Sequence, residues 1–443
     1  MSPVHDRLQR YGPFALALFL LATSRWGSFL PAAVPPFITD IVIAVLLIDR
    51  VLGAGAHRER RSPIAAALAV SALGLLAISS AWFLLGQWSV VALRDAAPYA
   101  YVVLVFLVLA PAREHVRSIE NLLTVALLFH ATWCVVALVA PPIVEAIPTM
   151  GKDVFFFVPR PDIDGFTSGL LAGLALHRAL SGKAPFVNLT LAGISLAITV
   201  ALGSRGALLG VVAVLIAVGL LGRHRRAVRT RPRKWAVALG LLALPAAVTV
   251  AGQGYAVERL VASVSNVWAP TEDVGGAQGT ASARADSWQR LIEYFQADTG
   301  RNVVGVGFGP NFLIDSNADV ELFGGDMAEV RSPHNYLLGA WARLGVIGMA
   351  FVLALTLIGW RLAFLVGWRR GRELSDIDVL AIMIAAGMPL VAAVGVVLEA
   401  PFGAVPYFWA LGHLSAVACS AGLATPIRQF LGGRRQQRQV RAT

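Results

Sequence analysis

Residues 63–85 read PIAAALAVSALGLLAISSAWFLL, twenty-three positions without one charged side chain. A helix rising 1.5 Å per residue needs about 20 such positions to cross the hydrocarbon core of a bilayer. Comparable runs recur along the chain and predict about twelve spans, at roughly 13–30, 31–49, 63–85, 94–112, 120–140, 165–181, 184–203, 206–222, 235–252, 334–366, 379–398 and 405–425. Of the 443 residues 57% are hydrophobic and 14% charged, against about 45–50% and 25% in soluble domains. The expected fold is therefore an all-α polytopic membrane protein. A soluble enzyme with one anchor, a disordered chain and a disulfide-stapled chain are excluded. Cys134 and Cys419 each lie in an apolar run, as small packing residues do.

The net charge of +11 lies in short connections between spans, with no basic tract interleaved with aromatics, so nucleic acid is not an expected partner and membrane lipid is. Arg7 and Arg10 precede the first run, which reads as an uncleaved first span. With the N-terminus in the cytoplasm, strict alternation puts most of the 37 Lys and Arg residues inside, including Arg58, Arg60 and Arg61, the run Arg223–Lys234, and a basic tail at 426–443. Both termini are then cytoplasmic. The expected organisation is nine spans in 1–252 with an outer loop at about 141–164, a large outer loop at 253–333, and three spans in 334–425.

The exceptions to that charge rule are Arg25, Arg94, Lys152, Arg160, Arg205, Arg259, Arg284, Arg290, Arg301, Arg331 and Arg343. Positive charge on or near the outer side has no topological reason to be there, and charge at bilayer depth is costly. An outer arginine cluster points to an anionic ligand.

In the large loop, SARADSWQRLIEYFQA (282–297) has helical spacing, with Trp288, Leu291, Ile292 and Phe295 on one face and Arg284 one turn before Trp288. Such a helix lies on the membrane surface or caps the bundle. GVGFGPNF (305–312) reads as a tight turn that brings backbone close to a lipid or sugar. In SPHNYLLGAWARLGVIG (332–348), Ser332 is placed to N-cap a helix with Pro333 in its first position. His334 then falls in the first turn. The positive helix end disfavours imidazolium, leaving a neutral, proton-accepting histidine or one that merely caps the helix. Arg205, in LGSRGALLG, is a ligand arginine or a snorkelling one at a span start.

Three of these elements resemble the bacterial O-antigen ligases, within the O-antigen ligase and polymerase superfamily. Arg205-Gly-Ala-Leu-Leu209 is similar to the family's R-x3-L element. His334-Asn335, nine residues and Gly345-Val-Ile-Gly348 are similar to its H-[NSQ]-x9-G-x-x-G element. Arg284 resembles the loop arginine upstream of that histidine. Met349-Ala350 follow where threonines are frequent in the family. The resemblance implies a GT-C-like bundle of about twelve transmembrane helices whose large periplasmic loop contains short helices. It implies an inner-membrane glycosyltransferase that moves a glycan from undecaprenyl pyrophosphate to a sugar hydroxyl of the lipid A core. His334 would be the catalytic base, and Arg205, Arg284 and Asn335 would bind substrate; Arg160, two residues before Asp162, is either a further phosphate ligand or the salt-bridge partner of that aspartate. No cofactor or metal is expected. The rival is a cation on Asp162-Ile-Asp164, though Asp376-Ile-Asp378 repeats that pattern on the inner side.

Two other functions fit less well. A polymerase of the superfamily matches the spacing from Arg284 to Gly300, a hit that 42 glycines make common by chance. A transporter or flippase would have charges near mid-membrane and duplicated halves. Among the remaining embedded groups, Asp40 and Arg94 are expected to pair and His130, His177 and His413 to pack or hydrogen-bond, while Glu399 is either a structural residue of its outer turn or part of the acceptor entrance.

Overall fold

The computed structural model describes residues 3–28, 37–52, 62–86, 88–109, 115–147, 157–225, 277–323, 331–370 and 374–421. The described residues form helices and no strand. In chain order they are α1 (Pro3–Thr23), α2 (Ile38–Leu52), α3 (Pro63–Leu85), α4 (Val90–Ala100), α5 (Leu104–Leu107), α6 (Val116–Val139), α7 (Pro141–Glu145), α8 (Pro161–Leu180), α9 (Pro185–Ala201), α10 (Arg205–Arg225), α11 (Ala277–Gln296), α12 (Thr299–Val304), α13 (Phe312–Asp315), α14 (Ala318–Phe323), α15 (Tyr336–Arg370), α16 (Asp376–Ala392) and α17 (Pro401–Ser420), with short 3-10 turns between some of them.

Among the described residues six stretches are long and apolar enough to cross a membrane: Pro63–Leu85, Val90–Leu107, Val116–Val139, Arg205–Gly222, Tyr336–Arg370 and Pro401–Ser420. Pro185–Ala201 is a shorter apolar helix. The expected count of twelve is thus reached only in part. The expected span at 235–252, most of the Arg223–Lys234 run, the first part of the 253–333 loop and the basic tail lie outside the described residues.

Two kinds of helix build the bundle. α3 leaves Val70 66% and Leu73 55% exposed, apolar surface suited to hydrocarbon rather than water. α17 is buried nearly all round, with Phe402, Phe408 and Trp409 each at 2% or less, and so forms the axis of the bundle. α16, α1, α5, α15 and α3 pack against it, and α8 and α10 pack on α16.

Charge marks both ends of the bundle. At one end Arg178 reaches Asp376 at 2.6 Å and Thr124 at 2.7 Å, while the Asp376 amide donates to Glu120 at 2.8 Å. Asp378 closes a capping box with Ser375 and sits 2.8 Å from His413. The D-x-D pattern at 376–378 is therefore a helix start held by an arginine and a histidine. His413 and His130 both hydrogen-bond within the bundle. The other end gathers the residues singled out as ligands and is called the site end below.

Three expectations change here. Asp40 is held by the Tyr101 hydroxyl at 2.6 Å and the Phe37 amide at 2.8 Å, and Arg94 is exposed instead of pairing with it. A carboxylate at the first turn of α2 takes local donors that Arg94 cannot displace. In the glycine-rich run 305–309 two amides are committed to protein backbone: the Val306 amide donates to Ala342 O and that of Gly307 to Arg343 O, both at 2.9 Å. The span expected at 334–366 begins at Tyr336 and breaks at Gly345 (φ 68°, ψ −172°), which splits α15 into a short segment and a long one.

A side chain at Gly345 would collide with the Val303 carbonyl, and one at Gly305 would sit 2.5 Å from the Arg343 carbonyl. Gly345→Ala is expected to cost about 1–3 kcal/mol in backbone strain alone, and more once the clash is included. Thermal unfolding in detergent checks this; a midpoint equal to wild type would mean the break is not needed.

Candidate active site

Six segments meet at the site end: the turn after α1, the start of α8, the start of α10, α11, the loop before α15 and the loop before α17. α11 caps the bundle. Leu291 and Phe295 are buried against Phe312, Leu313 and Trp341. On the same face the Trp288 indole donates to Pro333 O at 2.7 Å, and Arg284 Nη1 donates to Val394 O at 3.1 Å.

Val394 is the meeting point. A side chain on Gly206, next to Arg205, would lie 3.1 Å from Val394 Cγ2, and one on neighbouring Gly395 would lie 3.4 Å from Asp162 Oδ2. Arg205, Arg284 and the Arg160–Asp162 pair are thus brought to one turn from three distant parts of the chain. Locally, Gly203 (φ 68°) makes the turn before α10, and the Ser204 hydroxyl accepts from the Ala207 amide at 3.2 Å. Arg205 is therefore fixed as the first residue of α10.

His334 does not lie in the first turn. Asn335 is the N-cap, its Oδ1 accepting from the Leu337 amide at 3.0 Å and the Leu338 amide at 3.1 Å. His334 precedes it with φ 54°, in the left-handed region. The local Ser-Pro signal is overridden by tertiary partners. The Ser332 hydroxyl accepts from the His334 amide at 3.2 Å and also bonds Glu399, and the Pro333 carbonyl takes Trp288. Asn335, expected to bind substrate, has its side-chain oxygen committed to the helix.

The His334 imidazole is pushed down to about 4, first by burial, then by the positive charge of Arg284 and Arg160, with Asp162 opposing. It is neutral at neutral pH. The expected state is the same, but burial and two arginines cause it where the helix end was expected to. Glu399 is half-buried at the turn before α17, and desolvation raises it to about 7 against the pull of Ser332, Arg343 and Arg160. Its Oε1 has no hydrogen-bond partner.

Arg160 is paired with Asp162 at 2.9 Å and lies 5.5 Å from the centre of the Phe402 ring. Asp164 points inward, accepting from the Arg160 amide at 2.5 Å and lying 3.8 Å from His130. The two carboxylates of the 162–164 pattern therefore face different partners. Among the described residues no three His, Cys, Asp or Glu side chains converge as a metal site would require.

The structure adds Asp95 as a contributor and brings Arg25 and Glu399, both named from the sequence, to the same end. Arg25 donates to Val158 O at 3.4 Å and feels Arg160, whose like charge, after burial, lowers its pKa. Its position on the outer side was the only sequence signal for it. Asp95 had the signal of a carboxylate inside an apolar run.

Residues 190–353 match the family model described as O-antigen ligase. The stretch includes Arg205, Arg284, His334 and the break at Gly345. A search of curated proteins finds no match. Over that stretch, less than half of its length, the chain is similar to the O-antigen ligase family, and the apolar helices of the bundle accord with that likeness.

Proposed function

We propose that this protein is an O-antigen ligase. It transfers a glycan from undecaprenyl pyrophosphate to a sugar hydroxyl of the lipid A core, at the periplasmic face of the inner membrane, with inversion. The observation that carries the reading is a neutral His334 set among arginines from separate segments of the site end.

The chemistry needs two things. The leaving group is a pyrophosphate, so charge develops on it as the bond from the anomeric carbon to its oxygen breaks. Guanidinium groups held by the fold stabilise that charge without titrating. Arg205 and Arg284 take this role, with Arg160 sharing its charge with Asp162. The acceptor hydroxyl must lose its proton as its oxygen bonds the anomeric carbon. His334 takes that proton. One displacement inverts the carbon, and the lipid pyrophosphate departs. The left-handed backbone at His334 is the kind of strain that gathers at working sites.

With the N-terminal end of α1 in the cytoplasm, the site end faces the periplasm, and the buried Arg178–Asp376 pair lies at the cytoplasmic side. Arginine in place of a cation implies that transfer survives chelation. The test is reconstitution in liposomes with lipid-linked glycan and purified lipid A core, with and without EDTA. Glycan-bearing lipopolysaccharide in both conditions supports the proposal. A lengthened lipid-linked glycan instead identifies a polymerase. Activity abolished by EDTA and restored by Mg²⁺ or Mn²⁺ transfers the lead role to Asp162.

A further inference from the structure

Behind the His334 loop lies an ion cluster that the proposed chemistry does not use. Asp95, in α4, has a side chain only 6% exposed. Arg331 grips it with both ends of its fork, Nε to Oδ1 at 3.3 Å and Nη2 to Oδ2 at 2.8 Å. Arg343, 7% exposed, places Nη1 2.9 Å from Oδ2 as an ion-pair contact. The Gly309 amide donates to the same oxygen at 3.2 Å. Arg331 also donates to Gly309 O and Pro310 O, and Arg343 to Arg331 O at 3.3 Å.

One carboxylate thus joins four pieces of chain: α4, the glycine-rich turn, the start of the His334 loop, and the short first segment of α15. The loop itself, residues 331–335, is held along most of its length. Arg331 is on Asp95, Ser332 on Glu399, Pro333 on Trp288, and Asn335 on its own helix. The Arg331 anchor on Asp95 involves neither the pyrophosphate arginines nor Glu399. The Asp95 anchor is also the one that reaches across to the N-terminal half of the chain.

We propose that Asp95 is a positioning residue for His334: through Arg331 and Arg343 it fixes the loop that presents the imidazole, and so sets turnover and not donor affinity. The inference rests on the reading of His334 as the base. Without the carboxylate, the buried Arg343 and the half-buried Arg331 face each other uncompensated, and the loop is pushed open at its first residue. Misplacing a catalytic group by about 1 Å costs about 10²-fold in rate. Donor affinity should hold, because Arg205 and Arg284 are anchored at Val394 instead.

The test is Asp95→Asn in full-length protein, compared with wild type and His334→Ala. Asparagine keeps the shape and an acceptor for the Gly309 amide but loses the charge. Single-turnover transfer at saturating donor is expected to fall about 10–100-fold, with donor affinity little changed and unfolding still cooperative at a lower midpoint. Adding Arg331→Gln removes one of the repelling charges and should recover part of the rate. If Asp95→Asn fails to fold, Arg331→Lys reads the same point: it keeps the ion pair, loses the carbonyl contacts, and should slow transfer at unchanged donor affinity. Normal transfer in the variant that folds overturns the proposal, as does a loss of donor affinity that matches the loss of rate. Normal transfer by His334→Ala instead removes the base reading, and the positioning role with it.

Discussion

Replacing His334 by asparagine is expected to slow transfer by about 10²–10⁴-fold at saturating donor, the range that general-base assistance supplies. Asparagine is the informative substitute because it tolerates φ 54°, where alanine adds strain of its own. Expression, unfolding and donor affinity should stay close to wild type. A role in charge alone forecasts the reverse, with weak donor binding and a nearly normal saturated rate. The pH profile of the saturated rate gives a second reading. A base held down to about 4 is neutral above that pH, so the rate should be flat through neutrality and fall only as pH drops towards 4. Glu399, raised to about 7, would as the base give a rate that climbs through pH 7 instead. A climb through pH 7 with a fully active His334→Asn would move the role to Glu399.

Arg284→Lys and Arg205→Lys are expected to weaken donor binding and turnover together. A charge-assisted hydrogen bond contributes about 1.5–3 kcal/mol, so losing the fork should cost about 10–100-fold in kcat/KM for each. Arg284 carries an additional task, since its Nη1 holds the Val394 carbonyl. Arg284→Ala should therefore also loosen α11 on the bundle, seen as faster proteolysis at the cap. Arg290→Ala, exposed on the same helix, is the control and should change neither measurement. Normal kcat/KM at limiting donor in both lysine variants would leave these side chains as anchors only.

What could be read from the chain follows from how local each cause is. The apolar runs are legible because bilayer thickness sets a length that each run meets by itself. The α11 face is legible because Trp288, Leu291 and Phe295 repeat at helical spacing within one element. The start of α15 was not. Ser332 and Pro333 carry the local signal of a helix N-terminus, yet Glu399 and Trp288, remote in the chain, engage them first. Asp95 was hidden for the same reason. Its partner Arg331 lies 236 residues away, and Arg94 beside it looked like the more telling charge.

The short first segment of α15 also acts as a ruler. It runs from the Asn335 cap to the break at Gly345, and its far end must deliver Arg343 to Asp95 and a bare backbone to Val303. Each helical residue turns the chain by about 100° and advances it 1.5 Å. One residue inserted between 336 and 344 would therefore leave every side chain chemically intact but out of phase. Arg343 would swing away from its carboxylate, and the residue without a Cβ would no longer face the carbonyl that demands it. The nine residues between Asn335 and Gly345 are in this sense a measured distance, and their number constrains the site as firmly as the identity of the histidine before them.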